Sequence, residues 1–301
     1  MEVLTVKNLT KKYNKIEALK NINMYVKNGE IYGLIGKNGA GKTTLMKAIL
    51  GLTDIASGEI RLWGESVNNM ASLYSRIGVN LDFQGFYPEL TAYENLKVFS
   101  NIRGITKKYA IEEALEKVGL YNEKGKKYKK FSLGMKKRLG LANAIIHEPE
   151  FIILDEPTNG LDPIGISQFR EYLMKISKEQ ETTVMISSHL LSEIDIMADR
   201  IGVLNEGILI AEKSIEEIRQ SSRTRIKISV TNVELTCGLL EKTFHIEDYE
   251  VIDKNTIYIY KLELNRENFS RELAKYGVGI MEISVEEENL EAYFKKLIQG
   301  D

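Results

Sequence analysis

The stretch Gly36-Lys37-Asn38-Gly39-Ala40-Gly41-Lys42-Thr43-Thr44 constrains this chain more than any other. It fits Gly-x-x-x-x-Gly-Lys-[Ser/Thr], the pattern of a phosphate-binding P-loop. Upstream, Glu30-Ile31-Tyr32-Gly33-Leu34-Ile35 reads as a short buried strand. Downstream, Thr44 to Leu50 has helical spacing and stops at Gly51, a C-cap signal. Strand, glycine loop and helix N-terminus together build an anion site, because the glycines let successive N–H groups turn inward and the helix dipole adds partial positive charge. Gly36, Asn38, Gly39, Ala40, Gly41, Lys42, Thr43 and Thr44 are therefore the candidate nucleotide-binding residues. Lys42 is expected to reach the β- and γ-phosphates and the Thr43 hydroxyl to bind Mg²⁺. A glycine-rich turn without a ligand would leave Lys42 without a purpose. The expected ligand is a nucleoside triphosphate.

Composition narrows the partners. A net charge of -2 over 301 residues argues against non-specific nucleic-acid binding, which needs a strong basic excess. The length suits one large domain and a small one. The single cysteine, Cys237, can form no internal disulfide and reads as a small core residue. No apolar run approaches the roughly 20 residues needed to span a bilayer, and Met1-Glu2-Val3-Leu4-Thr5 is no signal peptide. The expectation is a cytoplasmic protein.

Short strands surround the loop. Val3 to Leu9 alternates, as does Ile22 to Lys27, and Asn28-Gly29 reads as a tight hairpin turn. Between these strands lies Tyr13, an aromatic able to stack on a base and equally ordinary at a strand edge. With Glu59-Ile60-Arg61-Leu62-Trp63-Gly64 they predict a small antiparallel sheet beside the nucleotide core. Thr91-Ala92-Tyr93-Glu94 fits a helix capping box, and Ala110 to Val118 is amphipathic, ending at Gly119. The basic run Lys124-Gly125-Lys126-Lys127-Tyr128-Lys129-Lys130 reads as solvated surface.

The second half of the chemistry follows. Ser132 is a plausible N-cap for a helix opened by Phe131-Ser132-Leu133-Gly134-Met135. Phe151-Ile152-Ile153-Leu154 is a continuous apolar run, the signature of a strand buried on both faces of a parallel sheet. It delivers Asp155 and Glu156 at its C-terminal end, where open α/β sheets place ligands. In this Walker-B arrangement Asp155 is expected to hold Mg²⁺ and Glu156 to act as general base toward water. Thr183 to Ser188 repeats the design and presents His189.

From about Val3 to Ile218 the sequence resembles the ATP-binding subunits of ABC transporters. The ordered features are the P-loop, the signature Phe131 to Met135, the strand ending at Asp155-Glu156, the D-loop Asn159-Gly160-Leu161-Asp162 and the switch histidine His189, with Tyr13 as the adenine-stacking aromatic. Within that family it looks most like bacitracin-export and lantibiotic-immunity ATPases, on Phe131 to Leu139 and on Gly85 to Leu96. Two departures stand out. Leu133 and Met135 replace the first glycine and the glutamine of Leu-Ser-Gly-Gly-Gln, while Ser132 and Gly134 remain. The Gln-loop position carries Asp82, with Gln84 two residues on as the other candidate. The lantibiotic-type relatives often have an acidic residue there, and Asp82 could still meet Mg²⁺.

The resemblance implies a split site: Ser132 and Gly134 of one chain close over the P-loop of another. The pair is a C₂ homodimer, or this chain with a second ATPase, around two ATP. Asp162 belongs to the D-loop, and Glu156 and His189 carry the catalytic roles. It further implies a separately encoded integral membrane permease, attachment to the inner face of the cell membrane, export of a bacitracin- or lantibiotic-like peptide, and no nucleic-acid partner. A generic multidrug, lipid or ion exporter is the alternative. A soluble ABC ATPase would need tandem halves or a coiled-coil insertion, and a P-loop kinase or GTPase would not need the signature.

The fold class expected is α/β: a P-loop NTPase, ABC-type ATPase domain over residues 1–218, with a mostly parallel core sheet, an antiparallel β subdomain and a helical subdomain. Residues 219–301 are expected to form an α+β accessory domain. There the order strand, helix, two strands, helix, strand and a final helix from Leu290 to Ile298 gives the βαββαβ order of a ferredoxin-like unit.

Overall fold

The structure, a computed structural model, describes residues 1–67, 73–81, 85–221, 224–261, 264–287 and 294. Two compact units divide the chain, Met1–Ile215 and Glu216–Asp301.

The first unit opens with two long strands, β1 (Glu2–Tyr13) and β2 (Ile16–Lys27), paired antiparallel. Their turn lies at Asn14, whose φ of 54° suits an asparagine. The sequence reading placed a hairpin turn at Asn28-Gly29 instead. Those residues carry the chain out of one sheet and into another, because β3 (Ile31–Ile35) pairs with later strands and not with β2. After β3 come α1 (Lys42–Ile49), β4 (Ser57–Leu62) and the short β5 (Glu65–Ser66). The antiparallel sheet has the order β2-β1-β4-β5.

Next come β6 (Ile77–Asn80), α2 (Ala92–Ile102), α3 (Ala110–Lys117) and α4 (Leu133–Ile145). The capping box at α2 is complete: Thr91 Oγ1 accepts from the Glu94 N–H, and the Glu94 carboxylate accepts from the Thr91 N–H at 2.8 Å. Buried Asn95 donates through Nδ2 to the Tyr87 and Thr91 carbonyls, which fixes the approach to that helix. In the basic run, Lys127 and Lys129 both pair with Glu89.

The unit continues with β7 (Phe151–Asp155), α5 (Pro163–Gln180), β8 (Thr183–Ser188), α6 (Leu191–Met197), β9 (Arg200–Asn205) and β10 (Ile208–Ser214). The second sheet has the order β10-β9-β3-β8-β7-β6, parallel except for the β9–β10 pair. Its central strands are buried end to end. Ile152, Ile153 and Leu154 of β7 and Val184, Met185 and Ile186 of β8 are sealed from solvent, each side chain contributing about 1.5–3 kcal/mol of burial. One apolar core joins the two sheets across α1, from Leu4 and Leu9 to Leu45, Phe151 and Met185.

Two glycines set α4 hard against β6. A Cβ on Gly140 would fall 2.8 Å from the Asn80 amide, and a Cβ on Gly78 would fall 2.3 Å from the Ala144 carbonyl oxygen. Helix and strand therefore touch backbone to backbone, which fixes the helix that begins at Ser132.

The helix α7 (Ile215–Ser221) starts at the unit boundary. The second unit contains β11 (Thr224–Val230), α8 (Val233–Lys242), β12 (Tyr249–Val251), β13 (Thr256–Ile259), α9 (Arg266–Lys275) and β14 (Ile280–Glu287). Its antiparallel sheet runs β12-β13-β11-β14, the ferredoxin-like arrangement. Period-two alternation turns Ile226, Ile228, Val230, Ile257 and Ile259 into a core with Leu240, Phe269 and Leu273 from the helices. Cys237 packs against that core, where burial raises its thiol pKa. The helix expected from Leu290 to Ile298 lies outside the described residues, apart from Phe294.

Gly78→Ala is expected to destabilise the first unit by about 1–3 kcal/mol, because the Ala144 carbonyl beside it is helix backbone and the Pro149 ring is rigid, so neither can yield as a flexible side chain would. Urea denaturation of the two proteins side by side measures it.

Candidate functional site

The site is assembled by strand order. In the parallel sheet β8 runs between β3 and β7, with Ile35 opposite Ser188 and Asp155 opposite Ser187. Three chain segments therefore leave the sheet side by side at the carboxyl ends of their strands: the P-loop after β3, Glu156 after β7 and His189 after β8. This is where an open α/β sheet forms its crevice.

The P-loop has the shape that the glycines predict. Gly39 (φ +85°) and Gly41 (φ +109°) lie in the left-handed region, and a side chain at Gly36 would strike the Leu204 carbonyl at 2.4 Å. Gly41 is the N-cap of α1 and offers no side-chain cap, so the first N–H groups of that helix point into the crevice. The crevice is about 200 Å³, lined by Asn38, Gly39, Gly41, Lys42, Thr43, Thr44, Asp155 and Glu156.

Lys42 is 6% exposed; its Nζ donates to the Gly36 carbonyl at 2.7 Å and faces Glu156 Oε1 at 3.1 Å. Thr43 Oγ1 donates to Asp155 Oδ2, and Ser187 Oγ donates to Asp155 Oδ1, each at 2.5 Å. Glu156 is held from all sides. Its N–H donates to Ser187 Oγ at 2.9 Å, and its carbonyl accepts from Lys137 Nζ at 2.9 Å. Carboxylate Oε2 lies 2.7 Å from His189 Nδ1 and 3.2 Å from the Asn159 amide. The backbone of Glu156 sits at φ +45°, a left-handed conformation that costs a non-glycine residue about 1–2 kcal/mol.

These residues fit a triphosphate and its metal. Uncapped N–H groups and a buried lysine suit phosphate oxygens. Thr43 and Asp155 bring two oxygen donors to one point, and among the described residues no cluster of three or more His, Cys, Asp or Glu forms a protein cage for a metal. An oxygen-only, incomplete donor set suits Mg²⁺, which keeps waters and phosphate oxygens as its remaining ligands.

The other expected residues lie farther out. Tyr13 closes β1, half exposed, with Lys11 Nζ 4.6 Å from its ring centre; it does not line the crevice. Its hairpin does reach the loop, since a Cβ on Gly41 would lie 3.1 Å from the Ala18 carbonyl of β2. Ser132 caps α4 by accepting from the Met135 N–H, and Asp162 caps α5 by accepting from the Gly165 N–H. Gly134 packs on the Gly160 carbonyl. The substituted Leu133 fits for a related reason: its Cδ2 sits 2.4 Å from where a Cβ of Gly160 would stand. Asp82 and Gln84 lie outside the described residues.

Sequence reasoning missed Ser187 and Lys137 as site residues, and it named Asn159 only as part of the D-loop, without its contact to the Glu156 carboxylate. Ser187 carried a signal, since a hydroxyl at the end of a buried strand faces the neighbouring strand's end in a parallel register. Lys137 carried none of its own, since it stands between Lys136 and Arg138 and nothing in that basic triplet says which of the three turns inward.

The ABC transporter family model matches residues 19–159. The bacitracin transport ATP-binding protein BcrA of Enterococcus faecalis is 47% identical over 299 residues, covering 99% of this chain and 97% of that protein. The lantibiotic transport ATP-binding protein SrtF of Streptococcus pyogenes is 44% identical over 214 residues, 71% of this chain and 92% of that protein. Among solved structures, a dimeric ATP-binding cassette in a post-hydrolysis state with ADP and Pi bound superposes with a TM-score of 0.65 at 27% identity, covering 70% of this chain and 98% of that one. With the P-loop, the acidic strand end and near full-length identity in agreement, the chain belongs to the ABC transporter family as an ATP-binding, ATP-hydrolysing subunit.

Proposed function

We propose that this chain powers export of a bacitracin- or lantibiotic-like peptide through a separately encoded membrane permease. The observation that carries the reading is the 47% identity to a bacitracin transport ATPase, sustained over 99% of the chain. Among the described residues no helix is long and apolar enough to cross a membrane, so the transport path belongs to another chain. The site of action is the inner face of the cell membrane.

Hydrolysis proceeds in two shared sites of a head-to-tail homodimer, or of a pair with a second ATPase, around two ATP. Lys42 neutralises the β- and γ-phosphates, and the N–H groups of Gly39 to Thr44 cradle them. Tyr13 stacks on the adenine, and Thr43 and Asp155 hold Mg²⁺, with Asp82 as a further ligand. Bound Mg²⁺ neutralises charge that develops on the phosphates. Ser132 and Gly134 of one chain close over the nucleotide of the other, and Asp162 orders the D-loop between the sites. Glu156 takes the proton from the attacking water, and His189, 2.7 Å from its carboxylate, fixes that carboxylate and meets the γ-phosphate.

Glu156→Gln is expected to lower kcat by about 10²–10³-fold, the scale of a lost general base. ATP binding persists, so with ATP and Mg²⁺ the variant elutes as a dimer in size exclusion and without them as a monomer. A monomer under all conditions, with ATP still bound, would refute the homodimer and leave the site to be completed by the permease or a second ATPase chain. Lys42→Ala is expected to weaken ATP binding about 100-fold, near 2.7 kcal/mol, by equilibrium titration with a fluorescent analogue. For the cargo, the chain and its permease are co-expressed in a sensitive host. Tolerance of bacitracin or a lantibiotic should rise, and should vanish with Glu156→Gln. A rise only for unrelated amphiphiles would make the system a generic multidrug exporter.

A further inference from the structure

We propose that Lys137 is a positioning residue for ATP hydrolysis, one that ties the signature helix to the catalytic glutamate of the same chain. The proposal rests on the shared-site reading above. Lys137 is 8% exposed, on α4, and its Nζ donates at 2.9 Å to the main-chain carbonyl of Glu156. A buried ammonium needs polar partners, and this one lies against a backbone carbonyl at the end of β7. That carbonyl belongs to a residue in the left-handed region, which persists only where its surroundings over-determine it. Two contacts pin the Glu156 peptide groups: Ser187 Oγ on the N–H side and Lys137 Nζ on the carbonyl side. The direction of the carboxylate toward Lys42 and His189 follows from that pinned backbone.

The position of Lys137 along its helix gives the contact its meaning. Ser132 caps α4 and, in the shared-site reading, faces the partner's nucleotide; Lys137 stands five residues further on, about 7.5 Å along the axis. The helix is set rigidly on β6 through Gly140 and Gly78. In that reading one rigid helix meets the partner's nucleotide at its start and the main chain of this chain's own Glu156 about 1.4 turns later.

The test uses Lys137→Met, of similar length without a donor, and Lys137→Gln, a donor one bond shorter, in the full chain. With Lys137→Met, kcat is expected to fall about tenfold, equivalent to about 1.4 kcal/mol, while KM for ATP holds. Lys137→Gln should fall between it and the parent, again at constant KM. In the protein without nucleotide, amide hydrogen exchange over residues 155–161 should quicken in both variants. The double variant Lys137→Met, Glu156→Gln should still form the ATP-dependent dimer, because the contact serves the base and not the closing surface. Parental kcat with unchanged exchange would overturn the proposal, as would a double variant that fails to dimerise where Glu156→Gln alone does. If Lys137→Met does not fold, parental kcat in Lys137→Gln overturns it equally. Glu156→Gln alone is measured first: if it keeps parental kcat, the base assignment falls on its own and is told apart from a failure of Lys137.

Discussion

A buried lysine facing a carboxylate across a glycine loop is the contact on which the rest of the site depends. Lys42 has almost no access to water, so its charge is compensated by the Gly36 and Lys37 carbonyls and by Glu156. Desolvating such a pair costs several kcal/mol per ion unless the geometry repays it. Here the repayment comes from the sheet. Parallel pairing of β3, β8 and β7 sets the loop and the acidic strand end one strand apart, and Ser187 fills the gap between them. Remove the strand order and the charges have no reason to meet.

Much of this was legible in the sequence, and the limits have physical causes. A continuous apolar run such as Phe151 to Leu154, ended by Asp155-Glu156 and following a P-loop, suits a strand covered on both faces of a parallel sheet, so β7 and its acidic end declared themselves. The caps Thr91 and Ser132 were readable because capping is a local event. The hairpin assigned to Asn28-Gly29 failed because a dipeptide encodes a turn and not the identity of the next partner strand. Lys137 and Ser187 escaped for the same reason at longer range: their partners lie 19 and 31 residues away along the chain. The left-handed backbone of Glu156 was also hidden, since glutamate has no preference for it.

The two units use the same rule differently. In the first, strands buried on both faces read as unbroken hydrophobic runs, and the site sits where those runs end. In the second, antiparallel strands alternate, and one face makes a core with α8 and α9. On the opposite face, Arg225 lies over the Tyr258 ring at 3.6 Å, an arrangement that shields a cation with an aromatic face. The contacts of the candidate site all lie within the first unit.

The fit of Leu133 over Gly160 reaches beyond this molecule. A bulky signature residue is accommodated because a loop 27 residues downstream presents bare backbone, and the match works in one direction only. A side chain at Gly160 would be strained by its φ of +81° and would push the half-exposed Leu133 side chain outward, whereas a glycine at position 133 would only uncover the Gly160 backbone. The two loops are matched at one point, so a chimera that takes residues 131–135 from this chain and residues 159–162 from a bulkier donor would have to turn the Leu133 side chain outward and so change the outer surface of both loops.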